Sequence, residues 1–177
     1  FPELPDLSVQ HDIPSIIAIQ IDTPVNLIAG SNKTIYCNGT ARDGDTYFDI
    51  SRINATLFHS TRQPGSQNNN SNHYTNASCS TFNGAENLVD FSCAFIVEYY
   101  ANNGTWFCNA TVVDTINSTN SSQQEGYIND LLAIGLSPNI IDFGSLEIMQ
   151  ISPFDIPITV TNYGNIMLDL RLYAYAS

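Results

Sequence analysis

The sequence predicts an all-β protein, a β-sandwich followed by a smaller and incomplete β-sandwich unit. Three observations carry that expectation: an alternating stretch from Asn102 to Asp114, a second from Asn87 to Tyr100, and four cysteines, of which Cys93 and Cys108 fall on these two stretches. In the first stretch, Asn102, Asn103 and Gly104 tolerate a left-handed backbone, so a tight turn is cheap there. Beyond the turn Trp106, Cys108, Ala110 and Val112 share one face, and Thr105, Phe107, Asn109, Thr111 and Val113 the other. The first face is expected in the core, which leaves Asn109 in solvent. In the second stretch Val89, Phe91, Cys93, Phe95, Val97 and Tyr99 form the inner face, and Ala94 and Ile96 on the opposite parity suggest that the strand is largely covered.

Taken from its start, residues 1–12 hold Pro2, Pro5 and three acids, so they are expected to run extended. Ser15 to Ile21 is β-branched and apolar on both faces, the pattern of a strand buried on both sides. It packs either in its own domain or on a neighbour. A strand through Cys37 follows the turn Gly30-Ser31-Asn32, and a longer one from Tyr47 to His59 has a bulge expected near Arg52. Arg62 to Asn72, with Pro64-Gly65 and three successive Asn, reads as a loop. Thr115 to Gly126 is rich in Ser, Asn and Gln and reads as a linker. Strands are then expected at Leu131–Leu136, Ile140–Phe143, Pro153–Val160 and Ile166–Ala174, the last two joined by the turn Asn162-Tyr163-Gly164-Asn165. The expected organisation is an arm or donor strand over 1–21, a glycosylated sandwich over 22–114, a linker over 115–126 and a C-terminal unit over 127–177. That unit has about four strands where a complete sandwich has about seven.

Charge narrows the function. Lys and Arg number five against seventeen Asp and Glu, a net charge of −12, which argues against nucleic acid or an anionic membrane surface as partner. No run of eighteen apolar residues exists, which argues against membrane insertion and against the long N-terminal helix of a type IV pilin. Phe1 suggests a mature product from which a targeting segment has been removed.

Asn-X-Ser/Thr occurs at Asn32, Asn38, Asn54, Asn69, Asn76, Asn103, Asn109, Asn117 and Asn120. With twenty Asn, and Ser plus Thr at 31 of 177 residues, chance gives about 3.5 such triplets, so the nine exceed it more than twofold. All lie between residues 32 and 122, which reads as a sugar-coated middle with sugar-free ends. Cys37, Cys79, Cys93 and Cys108 have no zinc-type spacing and fit an oxidising exterior. Cys37-Asn38-Gly39-Thr40 and Cys108-Asn109-Ala110-Thr111 are built alike, which favours a Cys37–Cys108 bridge between sheets and leaves Cys79 with Cys93.

Chemical motifs are missing. His11, His59 and His73 have no metal-ligand spacing, and zincin, nucleophile-elbow, phosphate-loop and dinucleotide patterns are absent. Asp43, Asp45 and Asp49 offer calcium three carboxylates, but an ordinary polar turn also accounts for them, so no metal is expected. The chain is expected not to be an enzyme and to carry no cofactor besides covalent N-linked glycans.

Asn102-x-Gly104-x-Trp106-x-Cys108 resembles the corner of immunoglobulin strand F, with Trp in place of Tyr and Asn in place of Asp. An indole is not expected to reproduce the tyrosine-corner geometry, and no Trp follows Cys37 at the strand C distance. Further stretches resemble secreted archaeal and other prokaryotic surface β-sandwich proteins. They are Tyr36-Cys37-Asn38-Gly39-Thr40, His73-Tyr74-Thr75-Asn76 before Cys79, and Tyr99-Tyr100-Ala101-Asn102 before Gly104-Thr105-Trp106. After residue 126 they are Ile141-Asp142-Phe143-Gly144-Ser145-Leu146 and Val160-Thr161-Asn162-Tyr163-Gly164-Asn165. The resemblance implies an Ig-like surface β-protein and supplies no catalytic residues.

The sequence thus points to a structural subunit of an extracellular glycan-coated filament or surface layer, whose partners are copies of itself. Ser15, Ile16, Ile17, Ile19 and Ile21 would form the subunit interface by adding a strand to the next copy. A monomeric glycosylated adhesin or receptor-binding ectodomain is the alternative.

Overall fold

The computed structural model describes residues 11–145, 147–152, 155–171 and 173. Eight strands build the sandwich: β1 (Ser15–Ile21), β2 (Asn32–Arg42), β3 (Ile50–His59), β4 (His73–Asn76), β5 (Ser80–Ala85), β6 (Leu88–Glu98), β7 (Gly104–Asp114) and β8 (Thr119–Ile128). One antiparallel sheet runs β1-β2-β6-β5 and the other β4-β3-β7-β8. Lettered in chain order, that is A-B-E-D against C′-C-F-G, the strand order of an immunoglobulin sandwich with an added C′ strand. Among the described residues two further strands, β9 (Ile134–Ser137) and β10 (Thr159–Asn162), pair only with each other.

The inward parities meet as the alternation requires. Ile35, Cys37 and Ala41 of β2 and Val89, Phe91, Cys93, Phe95 and Val97 of β6 face Ile53, Ala55 and Leu57 of β3 and Trp106, Cys108, Ala110 and Val112 of β7, all buried. Cys37 and Cys108 are bonded across the sheets, joining strands B and F, and Cys79 is bonded to Cys93. Trp106 corrects the expectation for the corner. Its Nε1 donates 2.7 Å to the carbonyl of Asn102, four residues back, so the indole makes the backward bond that a corner tyrosine makes with its hydroxyl. Tyr74 packs tilted on the same indole, and its hydroxyl donates to Asn70 O and accepts from Glu98 N, tying the two sheets. Burial pushes this phenol up to about 12.

Several boundaries differ from the sequence expectation. The expected linker 115–126 is mostly β8, paired with β7 from Thr119 to Ile128, so the sandwich extends to residue 128. Its Ser, Asn and Gln mislead because β8 is an edge strand with only Gly126 and Ile128 buried, and polar side chains suit an edge. The expected arm also enters the sandwich: Ser15 pairs with Arg42 and Ile21 with Cys37, at the edge of the first sheet. The bulge near Arg52 is present. Val113, placed outward by parity, is buried opposite that bulge. Ile96, expected under cover, is exposed together with Ala94 on the outer face of β6. Two short strands, β4 and β5, leave little pattern in the sequence, because β4 is four residues long and every residue of β5 is exposed.

Gly39 lies opposite Phe91 in the ladder. A Cβ there would come within 2.3 Å of the Ala18 carbonyl and 2.5 Å of the Phe91 ring, so the strand needs glycine for close approach. Gly39→Ala should therefore cost about 1–3 kcal/mol in a urea titration, with an unchanged slope.

Candidate functional site

The unit after β8 is anchored to the sandwich by polar contacts and one ring. Asn129 N donates to Val25 O, Leu131 N donates to Asn165 Oδ1, and Asn165 Nδ2 donates to Asn129 O. Tyr163 lies against Gly30, whose φ of +66° and missing Cβ admit the ring, and meets Tyr99 edge to face. The turn Asn162-Tyr163-Gly164-Asn165 thus docks the unit and does not make a hairpin. Asn162 Oδ1 accepts from Gly164 N and its Nδ2 donates to Ile166 O, and no strand is assigned between residues 166 and 171.

Two paired strands are what this unit shows among the described residues, where four were expected. Leu136 pairs with Val160, and Ile134 with Asn162. Their apolar side chains are not covered: Ile134 is 51% and Leu136 54% exposed, and Met167 nearby is 93% exposed. Ile134 and Met167, with Leu132, Val160 and Leu170, line an open apolar groove of about 560 Å³. Isolated two-stranded sheets are marginal in water, and an exposed contiguous apolar patch marks an interaction surface. The expected strand at Ile140–Phe143 is not formed, and Pro153, Leu172 and Ala174 lie outside the described residues.

The sequon asparagines are all on the sandwich and none on this unit. Asn32, Asn38, Asn69, Asn117 and Asn120 are exposed, and Asn54, Asn76, Asn103 and Asn109 are half-buried. Asn54 and Asn109 lie on the outer face of the second sheet, opposite Thr111 and Thr56. Asn76 Nδ2 donates to Ala94 O and Asn103 Nδ2 to Asp130 Oδ1, so a sugar at either position would leave its single remaining amide N–H to make that bond.

The interface residues named from sequence do not form a free arm. Ile21 is buried in the core, Ile16 and Ile19 pack against it, Ser15 is half-buried, and Ile17 is exposed. The strand is strongly apolar because it closes one edge of its own sandwich beside β8, where Gly126 makes room for the Ile21 side chain.

Of the three aspartates singled out, Asp45 and Asp49 come together with His11, their ligand atoms within 4.8 Å of one another. Asp43 is fully buried beside them. Burial first, then the charges of Asp49, Asp45 and Asp114, raise its carboxyl above the ordinary value against the opposing hydrogen bond from Asp45 N. Sequence reasoning missed Asp114 and His11, which belong to the same end of the sandwich.

The fold defines an all-β protein of the Ig-like sandwich class. No protein-family model and no curated protein matches the chain. Among solved structures, AggA, the major subunit of aggregative adherence fimbriae type I from Escherichia coli, is similar at a TM-score of 0.25 and 11% identity, over 65% of this chain and 92% of its own.

Proposed function

We propose that this chain is a structural subunit of an extracellular, glycan-coated filament or surface layer, assembled from copies of itself by β-strand addition. The observation that carries this reading is the β9–β10 sheet, whose apolar side chains are exposed and whose outer edges are unpaired among the described residues. A strand from a second copy, laid along that edge, supplies backbone partners and covers the groove together. Because the acceptor and the donor are different segments of the chain, such a contact is heterologous and extends into a polymer. With Ser15–Ile21 held in its own sandwich, the donor we propose lies in what remains of the expected 1–21 segment, of which residues 1–10 lie outside the described residues. Sugars at the sequon asparagines would coat the sandwich and leave this unit bare. Two disulfides suit the oxidising exterior in which such a polymer works.

Leu136→Asp tests the acceptor. Its side chain is more than half exposed, so the monomer should lose no more than about 0.5 kcal/mol. Electron microscopy should show a regular lattice for the parent chain and discrete particles for Leu136→Asp and for a chain lacking residues 1–10. Filaments of normal length from both variants would overturn strand addition. Discrete particles from the parent chain would favour a monomeric adhesin.

A further inference from the structure

Where the chain leads into β1, His11 meets the loop between β2 and β3. Its Nδ1 lies 3.0 Å from Asp49 Oδ2 and 3.4 Å from Asp45 Oδ2, and the ligand atoms of the three side chains all lie within 4.8 Å of one another. Local structure holds them there. Thr46 caps the 3₁₀ turn Tyr47–Asp49: its hydroxyl accepts from Phe48 N, and its carbonyl accepts from Asp49 N at 3.0 Å. Thr115 Oγ1 donates to Asp49 Oδ1, which leaves the other oxygen of that carboxylate beside His11. Asp12 N donates to Asp45 Oδ2 at 3.3 Å, so the residue next to His11 is tied to the same loop.

A hydrogen-bonded ion pair does not account for the closest of these contacts. Asp49 Oδ2 is buried and receives no hydrogen bond although Nδ1 is 3.0 Å away, so the ring N–H axis does not point at that oxygen. An oxygen beside the axis of an imidazole nitrogen, and not on it, stands where a second ligand stands when both bind one small cation. With Zn–N and Zn–O bonds of about 2.0–2.1 Å, adjacent ligands of a tetrahedral shell are about 3.3–3.4 Å apart. The separations of 3.0 and 3.4 Å are close to that edge. Asp43 adds to the demand for positive charge. It is 0% exposed, its Oδ1 accepts from Asp45 N at 3.0 Å, and its Oδ2 is buried without a hydrogen bond. Among the described residues no Lys or Arg pairs with any of these acids.

We propose that His11 Nδ1, Asp45 Oδ2 and Asp49 Oδ2 bind a zinc ion. His11 and Asp45 are exposed, which leaves an open side where water completes the shell. One imidazole and two carboxylates suit zinc, whereas calcium takes roughly six to eight oxygens and gains nothing from the ring. The Thr115 hydroxyl, bound to the other oxygen of Asp49, orients that ligand. The ion would fasten the segment before β1 to the β2–β3 loop.

The test is calorimetric titration of zinc chloride into the full, untagged chain, with thermal unfolding in EDTA and in zinc. One zinc per chain is expected, and a rise in Tm of roughly 5 °C or more once zinc exceeds its Kd about a hundredfold. Cobalt(II) in place of zinc should shift the His11 ring protons in NMR spectra more than those of His59 and His73. His11→Ala and Asp49→Asn should each weaken zinc binding roughly tenfold or more. Because His11 is exposed, His11→Ala should keep the parent's Tm in EDTA. The proposal fails if the parent does not bind zinc, or if His11→Ala binds it like the parent. It fails equally if calcium raises Tm as far as zinc does and His11→Ala leaves that rise intact. Should Asp49→Asn not fold, the parent and His11→Ala decide.

Discussion

Trp106→Ala is expected to cost roughly 3–5 kcal/mol, and Trp106→Phe about 1–3 kcal/mol. The indole is fully buried at the start of β7, against Tyr74 and edge-on to His59. Alanine leaves a large cavity between the sheets; phenylalanine fills much of it but leaves the Asn102 carbonyl without its donor. Tyrosine separates the two contributions. Its hydroxyl can approach that carbonyl in the manner of a tyrosine corner, so Trp106→Tyr should lose less than Trp106→Phe in urea titrations under non-reducing conditions. Equal losses for the two aromatic variants would mean that shape alone matters at this corner.

That corner also shows what the sequence could and could not convey. Period-2 alternation fixed the inner face of β7 and β6 because both strands are central, with one face sealed by the opposing sheet. The paired Cys-Asn-small-Thr motifs located the bridge between sheets. Edge strands carry a weaker signal. β8 is polar on both faces and passes for a linker, while β1 is apolar on both faces and passes for an arm, although each closes an edge of the same sandwich. The acid group was legible only in part for a different reason. Asp43, Asp45 and Asp49 are neighbours in sequence, whereas Asp114 joins them through the pairing of β3 with β7, which no local pattern encodes.

Removing Cys37–Cys108 should destabilise the chain more than removing Cys79–Cys93, and by more than loop length alone provides. The two bridges close loops with sequence separations of 71 and 14. In the chain-entropy account these are worth about 4.4 and about 3.0 kcal/mol, a difference of about 1.4 kcal/mol. The native state widens the gap. Both sulfurs of the longer bridge sit at the centre of the core, with Cys37 and Cys108 wholly buried, whereas Cys79 lies at the margin at 8% exposure. Double alanine substitution at the centre therefore removes two wholly buried sulfurs, a larger packing loss than at the other bridge, where Cys93 is wholly buried and Cys79 is not. Each bridge is replaced in turn by a pair of alanines, and the variants are unfolded in urea without reductant. A larger loss for Cys37→Ala/Cys108→Ala, exceeding the other by more than about 1.4 kcal/mol, is the expected result. A gap near that value would assign the bridge to the unfolded chain alone, and a reversed order would show that the marginal loop, which leads from β4 into β5, depends on its bridge to reach the sheet at all.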